Sequence, residues 1–136
     1  MTRRMGAEAG QDLVEYALIL PLFLLLSLSV FEFGILFFQF NTVSNAAREA
    51  ARAGIIPATS TCGEACVDDR VEAAARTLTT GLNQDNLDVQ VLHPNGSTVR
   101  VVISYQTELI SSIVVDAVGG SGDVTLSASA TMQREN

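Results

Sequence analysis

Glu15 is the residue whose type and position point most directly to chemistry. The sequence reads GQDLVEY at positions 10–16, and a long apolar run follows at once. A carboxylate beside a membrane-length hydrophobic segment is costly and usually marks function, because it needs a positive partner or water. Glu15 could therefore pair with a cation, or it could reach the membrane surface as the acid of an ordinary anchor.

Two cysteines, Cys62 and Cys66, could react with each other. In an oxidising compartment the simplest interpretation is a disulfide that closes a very small loop. The chain-entropy model gives such a bridge about 2 kcal/mol, which strain would reduce. Free thiols are an alternative. A metal site is a further one, but it needs three or four ligands, and the single histidine, His93, is distant in sequence.

Catalytic residue patterns are hard to find in this chain. His93 stands beside Pro94 in a predicted turn with no paired acid or nucleophile motif near it, and no serine lies in a Gly-x-Ser-x-Gly frame. Asp68, Asp69 and Glu72 could suggest a cation site, but we expect them to complement the N-terminal dipole of a helix. The sequence predicts a protein that is not an enzyme and has no cofactor.

The charge balance argues against nucleic acid as a partner. The 136-residue chain has a net charge of −7, and from Gly54 onward four arginines stand against ten acids, which gives 4 − 10 = −6. Binding to phosphate backbones depends on clustered basic residues. We therefore expect no nucleic-acid interface.

The apolar run is long enough to cross a membrane. No charged residue occurs from Tyr16 to Phe31, and a bilayer core of about 30 Å needs roughly 20 helical residues. Counted from Leu13, this places Glu32 near the outer boundary, where we expect it to reach water. Arg3 and Arg4 close to the N-terminal side predict an N-terminus inside and a C-terminal domain outside.

A cleavable secretory signal peptide is the competing interpretation of the same run. Asp12 and Glu15 are acids where such a signal has its basic region. Cleavage at the small residues of positions 27–29 would also leave the phenylalanine-rich stretch 31–40 exposed. Both observations favour a membrane span.

The helix is predicted to continue beyond the membrane to about Ala53. Small apolar residues recur there at helical spacing, and Gly54 and Pro57 provide a stop. One helix from about Asp12 to Ala53 would be roughly 60 Å long, so its second half must pack on something outside the membrane. The apolar residues of this half are Val43, Ala46, Ala47, Ala50 and Ala51.

The remaining residues predict a small α+β head. A helix with one apolar face is expected around residues 67–78, with a capping box at 69–72 and Gly81 at its end. Alternation at 87–91 and 99–105 around an Asn-Gly turn predicts a hairpin, and 124–132 predicts a third strand. The expected architecture is a three-stranded antiparallel sheet covered by the long helix and a shorter one. Residues 107–118 fit either a helix or an irregular crossover.

The N-terminal motif resembles a known family. A short leader with two arginines, a glycine, four residues and Glu15-Tyr16 is similar to the class III signal of type IV pilin precursors, and the Glu-Tyr form is similar to the Flp, or tight-adherence (Tad), subfamily. The segments 45–54 and 128–132 resemble TadE-like proteins of that system. The resemblance implies cleavage by a membrane peptidase between Gly10 and Gln11, which makes Glu15 the fifth residue of the mature chain.

The resemblance also implies a domain order and a function. Residues 1–10 would be the leader, 11–53 the helix and 54–136 an extracytoplasmic head. TadE-like proteins are regarded as minor pilins or pseudopilins, whose partners are the prepilin peptidase, the major Flp-type pilin, other minor pilins, the inner-membrane assembly platform and, before assembly, membrane lipid. The alternative is a permanently anchored binding or sensor module that keeps its leader.

Overall fold

A long helix carries a small α+β head in the computed structural model, which describes residues 8–56, 63–95, 97–117 and 119–134. Helix α1 spans Glu8–Gly54, helix α2 spans Glu64–Leu78, and a short helix α3 spans Ser112–Ala117. The strands are β1 Leu87–Asn95, β2 Thr98–Glu108 and β3 Asp123–Gln133. The predicted fold class is confirmed, and residues 107–118 contain the end of β2, a turn and α3.

The sheet is antiparallel in the order β1-β2-β3. Its register places Val101 opposite Val91 on one side and Ala130 on the other, which keeps the apolar residues of all three strands on one face. Helices α1 and α2 cover that face, and α1 lies over β2 and β3. The other face carries mainly polar side chains.

The second half of α1 forms the centre of the core with its small residues. Val43, Ala46, Ala47, Ala50 and Ala51 are all buried, with at most 1% of any of them exposed. They pack with apolar residues of α2 and β2, of which the fully buried ones are Val67, Val71, Ala75, Val99, Val101 and Ile103. Alanine allows a close approach of helix and sheet, so the alanine face predicted from the sequence is the face that binds the head.

The predicted capping box at residues 69–72 is wrong. Helix α2 begins at Glu64, with Gly63 as its N-cap, whose carbonyl accepts the N–H groups of Cys66 and Val67 at 3.1 and 3.2 Å. Asp69 and Glu72 therefore lie inside the helix and do not cap it. Helix α1 also begins four residues before the expected Asp12, at Glu8.

Candidate functional site

The N-terminal turns of α1 hold the residues that the sequence singled out. Gln11 and Glu15 are one helical turn apart, and Gln11 Nε2 donates to Glu15 Oε1 at 3.5 Å, which is the long limit of a hydrogen bond. Asp12, Tyr16 and Ile19 lie beside Glu15 on the same side of the helix. All of these side chains are exposed, so the carboxylate is open to a partner from outside the chain.

Gly10 lies inside helix α1. A Cβ at this position would meet no atom within 4 Å, so the glycine is not needed to avoid a clash. Glycine in a helix costs about 1 kcal/mol relative to alanine. The helix is therefore weakened at the position where the family resemblance implies cleavage.

Helix α1 exposes a large apolar surface along its first half. The helix is long and apolar enough to cross a membrane, and only 6% of its most apolar 18-residue stretch is buried. Large exposed side chains run from Leu13 to Phe40, among them Phe31 at 72% and Phe33 at 71% exposure. About 28 residues of helix correspond to some 42 Å, which exceeds the roughly 30 Å of a bilayer core.

Glu32 is the exception within this apolar surface, and the prediction that it reaches water is wrong. Only 9% of the residue is exposed. Its Oε1 accepts the backbone N–H of Ser111 at 3.0 Å, and its Oε2 accepts the Ser111 hydroxyl at 2.6 Å. A carboxylate with two donors at these distances makes strong, charge-assisted bonds. Glu32 therefore ties the turn before α3 to the long helix.

At the opposite end of the head, a cluster of charged side chains connects α2, β3 and the end of α1. Arg134 binds both carboxylate oxygens of Glu64 at 3.0 and 3.1 Å, and its Nε donates to the carbonyl of Gly54 at 3.3 Å. This guanidinium is the main reason why the pKa of Glu64 is lowered. The two carboxylate bonds are parallel, a geometry in which arginine binds with most specificity. The cluster fixes the start of α2 and the end of β3 to the end of α1.

His93 belongs to the same cluster, and the prediction of an unpaired turn histidine is wrong. It lies near the end of β1, where its Nε2 is 2.9 Å from Asp68 Oδ1 and 3.9 Å from Glu64 Oε2. Asp68 thus faces the histidine and not the N-terminus of its own helix. Among the described residues, no group of three or more His, Cys, Asp and Glu side chains could hold a metal ion.

Comparison with known proteins identifies the first of these regions. Residues 10–52 match the family model described as TadE-like protein. This N-terminal third of the chain is similar to TadE-like proteins. The match contains Gly10, Glu15 and Glu32 and ends two residues before the C-terminus of α1. No curated protein and no solved structure matches the chain.

The head lies almost wholly outside the matched residues, so its contacts come from the structure alone. Of the two cysteines, Cys62 lies outside the described residues, and its bridge to Cys66 stays a prediction. The same holds for cleavage after Gly10 and for the role of Glu15 with Tyr16 in assembly.

Sequence reasoning missed the pairing of Glu32, although a signal was present. Residues 32 and 50 are 18 positions apart, which is five full turns at 3.6 residues per turn. Glu32 therefore lies on the same side of α1 as the buried Ala50, the side that faces the head. The pairing of Arg134 left no comparable signal, because it depends on where β3 ends in three dimensions.

Proposed function

We propose that this TadE-like chain is a non-enzymatic minor pilin or pseudopilin of a Tad pilus or a related secretion filament. The family match supports involvement in the Tad pilus system. One structural observation carries the proposal further: α1 is bound to the head through its second half, while its first half presents an uncovered apolar surface. Such a surface needs lipid before assembly and neighbouring helices in a filament.

Processing is the first step of the proposed pathway. A prepilin peptidase cuts between Gly10 and Gln11, where the glycine weakens the first turn of the helix and a small residue fits a peptidase cleft. The cut removes Arg3 and Arg4 and leaves a free α-amine on Gln11. That amine becomes the positive group nearest to Glu15.

Glu15 then takes part in assembly through a charge pair. A buried carboxylate without a partner is costly, whereas a paired one is tolerated. Gln11 and Glu15 are one helical turn apart, which allows a pair of Glu15 with the amine of its own chain. The exposure of the carboxylate equally allows a pair with the amine of the subunit added before it, with Tyr16 in the same contact. The inter-subunit pair sets the axial register and draws each subunit out of the bilayer.

The proposed location is the bacterial inner membrane, with the N-terminus inside, one membrane span and the head outside. From there the subunit enters a filament and meets the major Flp-type pilin, other minor pilins and the assembly platform. The proposed roles are initiation, incorporation or capping, and all of them require the same N-terminal contact.

The test is substitution of Glu15 in cells that assemble the filament. Glu15→Leu makes the segment more hydrophobic, so membrane insertion and head folding should be retained while the protein is lost from sheared filaments. Glu15→Asp should be intermediate, because its shorter side chain weakens the pair. Glu49→Gln, which removes an acid from the second half of α1, is the matched control and should assemble normally. Wild-type amounts of the Glu15→Leu protein in filaments would show that the carboxylate has no role in assembly.

A further inference from the structure

The end of the head nearest the membrane half of α1 combines acidic side chains with exposed apolar ones. We call this end the rim and define it as residues 108–117 and 119–123. Leu109 N–H donates to the carbonyl of Gly122 at 2.8 Å, which holds the two parts of the rim together. Ser111 binds Glu32, so the rim lies beside residue 32 of the long helix.

The position of the rim along the helix follows from the two ends of β3. Arg134, just after the strand, contacts the carbonyl of Gly54, while Gly122, just before it, belongs to the rim. The 22 residues of α1 between positions 32 and 54 rise about 33 Å, and the 11 residues of β3 extend about 36 Å. The strand and the helix therefore run side by side. The rim is the end of the head that lies closest to the N-terminal half of α1.

The rim carries three carboxylates whose transfer into hydrocarbon would cost free energy. Glu108 and Asp123 are directly opposite each other in the β2–β3 register, and Asp116 lines the same depression. Like charges in opposite strands repel, and an ionised carboxylate is costly inside a bilayer. The rim therefore sets a limit on how deep the protein can sit in a membrane.

This limit agrees with the length of the apolar helix below it. From Leu13 to Phe31 there are 19 residues, which span about 28 Å and match the bilayer core. If the rim lies at the outer surface, Asp12 lies at the inner surface. The span is then bounded by Asp12 and Glu32, and the exposed phenylalanines after Glu32 begin at the level of the lipid headgroups, where aromatic residues are common.

Two large apolar side chains of the rim are exposed. Ile110 is 57% exposed and Val114 is 46% exposed, and the two lie four positions apart around the start of α3. The other large apolar side chains exposed in the described part of the head are Ile56, Leu78 and Leu92, which are far apart in the sequence. Within the described part of the head, only the rim combines a pair of exposed apolar residues with a fixed position beside the membrane span.

We propose that the rim rests on the outer surface of the membrane and places Ile110 and Val114 among the headgroups of zwitterionic lipid. The contact continues the surface that α1 already presents to the bilayer. Lipid of zero net charge is the partner because the carboxylates of Glu108, Asp116 and Asp123 would repel anionic headgroups, and the residues that line their depression include no arginine. The inference rests on membrane anchoring by α1 and not on assembly into a filament.

Tryptophan fluorescence tests the contact cleanly, because the chain contains no tryptophan. The full chain is reconstituted in phosphatidylcholine vesicles as Ile110→Trp and as Val114→Trp, and brominated lipids serve as quenchers of known depth. Val30→Trp, within the span, is the reference for anchoring. Leu92→Trp is the matched control, because Leu92 is 45% exposed and lies toward the end of β1 that is remote from the rim.

We expect shallow brominated lipids to quench Ile110→Trp and Val114→Trp at least twofold more than Leu92→Trp, and soluble iodide to show the reverse order. Replacing half of the lipid with phosphatidylglycerol should reduce the quenching at both rim positions. Rim tryptophans that behave like Leu92→Trp while Val30→Trp is quenched would overturn the proposal, and so would quenching that grows with anionic lipid. Failure to quench Val30→Trp would instead overturn the anchoring on which it rests.

Circular dichroism shows whether the tryptophan variants are folded. Ile110 and Val114 are outside the core, so both variants should keep the wild-type spectrum and unfolding temperature. Hydrogen exchange of the unmodified chain gives a second reading of the same contact. Amides of 109–117 should exchange more slowly in phosphatidylcholine vesicles than in the mixed anionic vesicles, and equal rates would contradict the proposal.

Discussion

Glu32 and Ser111 are 79 positions apart in sequence, and both oxygens of the Glu32 carboxylate accept a hydrogen bond from Ser111. The bonds join the middle of the long helix to the turn before α3. Together with the contact of Arg134 with Gly54, they hold the head at two points along α1. The acid that the sequence placed at a membrane boundary is thus a link between the apolar first half of α1 and the head.

Ser111→Ala should loosen this link without unfolding the head. The variant loses the hydroxyl bond to the carboxylate and keeps the backbone bond, and a hydrogen bond to a charged group contributes about 1.5 kcal/mol. The amides of residues 109–112 should then exchange with solvent about tenfold faster. Ser129→Ala, on the exposed face of β3, is the control and should leave those rates unchanged. Unchanged exchange in Ser111→Ala would mean that the hydroxyl bond does not hold the turn.

The sequence predicted the elements whose side chains follow a regular period. The alanine face of α1 and the alternating residues of the three strands are buried or half-buried as expected, because the spacing of apolar residues decides which face leaves water. The three-stranded antiparallel sheet and the helix beside it followed from the same patterns. These elements make up most of the head.

The errors concern polar side chains that serve contacts between elements. Within the expected capping box, Arg70 donates to the carbonyls of Ala53 and Ile56, whereas Glu72 pairs with Arg76 of the same helix. Asp68 likewise faces His93. A local pattern cannot show which partner a charged side chain meets after folding. For the same reason the pair of Arg134 with Glu64 was not predictable from the sequence, whereas the spacing of Glu32 from Ala50 indicated only that Glu32 faces the head.

Glycine at the end of α1 should be essential for packing, whereas the exposed glycine in the middle of α1 should not. A Cβ at Gly54 would lie 2.9 Å from Val99 Cγ1 and 3.1 Å from Val71 Cγ2, both in the core. Gly54→Ala should therefore destabilise the head by about 1–3 kcal/mol. Gly34→Ala, where no atom lies within 4 Å, should be neutral or stabilising by up to about 1 kcal/mol. Denaturant unfolding in detergent measures both, and equal stability of the two variants would contradict the packing.

The pairing of Arg134 with Glu64 should make the head sensitive to acid. The pKa of Glu64 is below its ordinary value of 4.5, so the carboxylate stabilises the fold above that pH. This stabilisation is lost as the pH falls below 4.5 and through the lowered pKa. Because the Glu64 side chain is 61% exposed, we expect a small effect on overall stability.

Arg134→Met should shift the Glu64 titration upward and remove that part of the acid sensitivity. Carboxyl chemical shifts followed by NMR from pH 7 to pH 2 report the change directly. Arg76→Met breaks the exposed pair of Arg76 with Glu72 and is the control, which should leave the Glu64 titration in place. An unchanged titration of Glu64 in Arg134→Met would show that the guanidinium does not set the pKa.

The most direct test of the proposed function is the N-terminal mass of the protein extracted from the membranes of cells that assemble the filament. A processed subunit should begin at Gln11, and replacement of Gly10 by a bulky residue should leave the full-length precursor. Gly34→Ala, which changes a glycine far from the cleavage site, should be processed normally. Intact Met1 in the mature wild-type protein would contradict the account and favour a permanently anchored binding module.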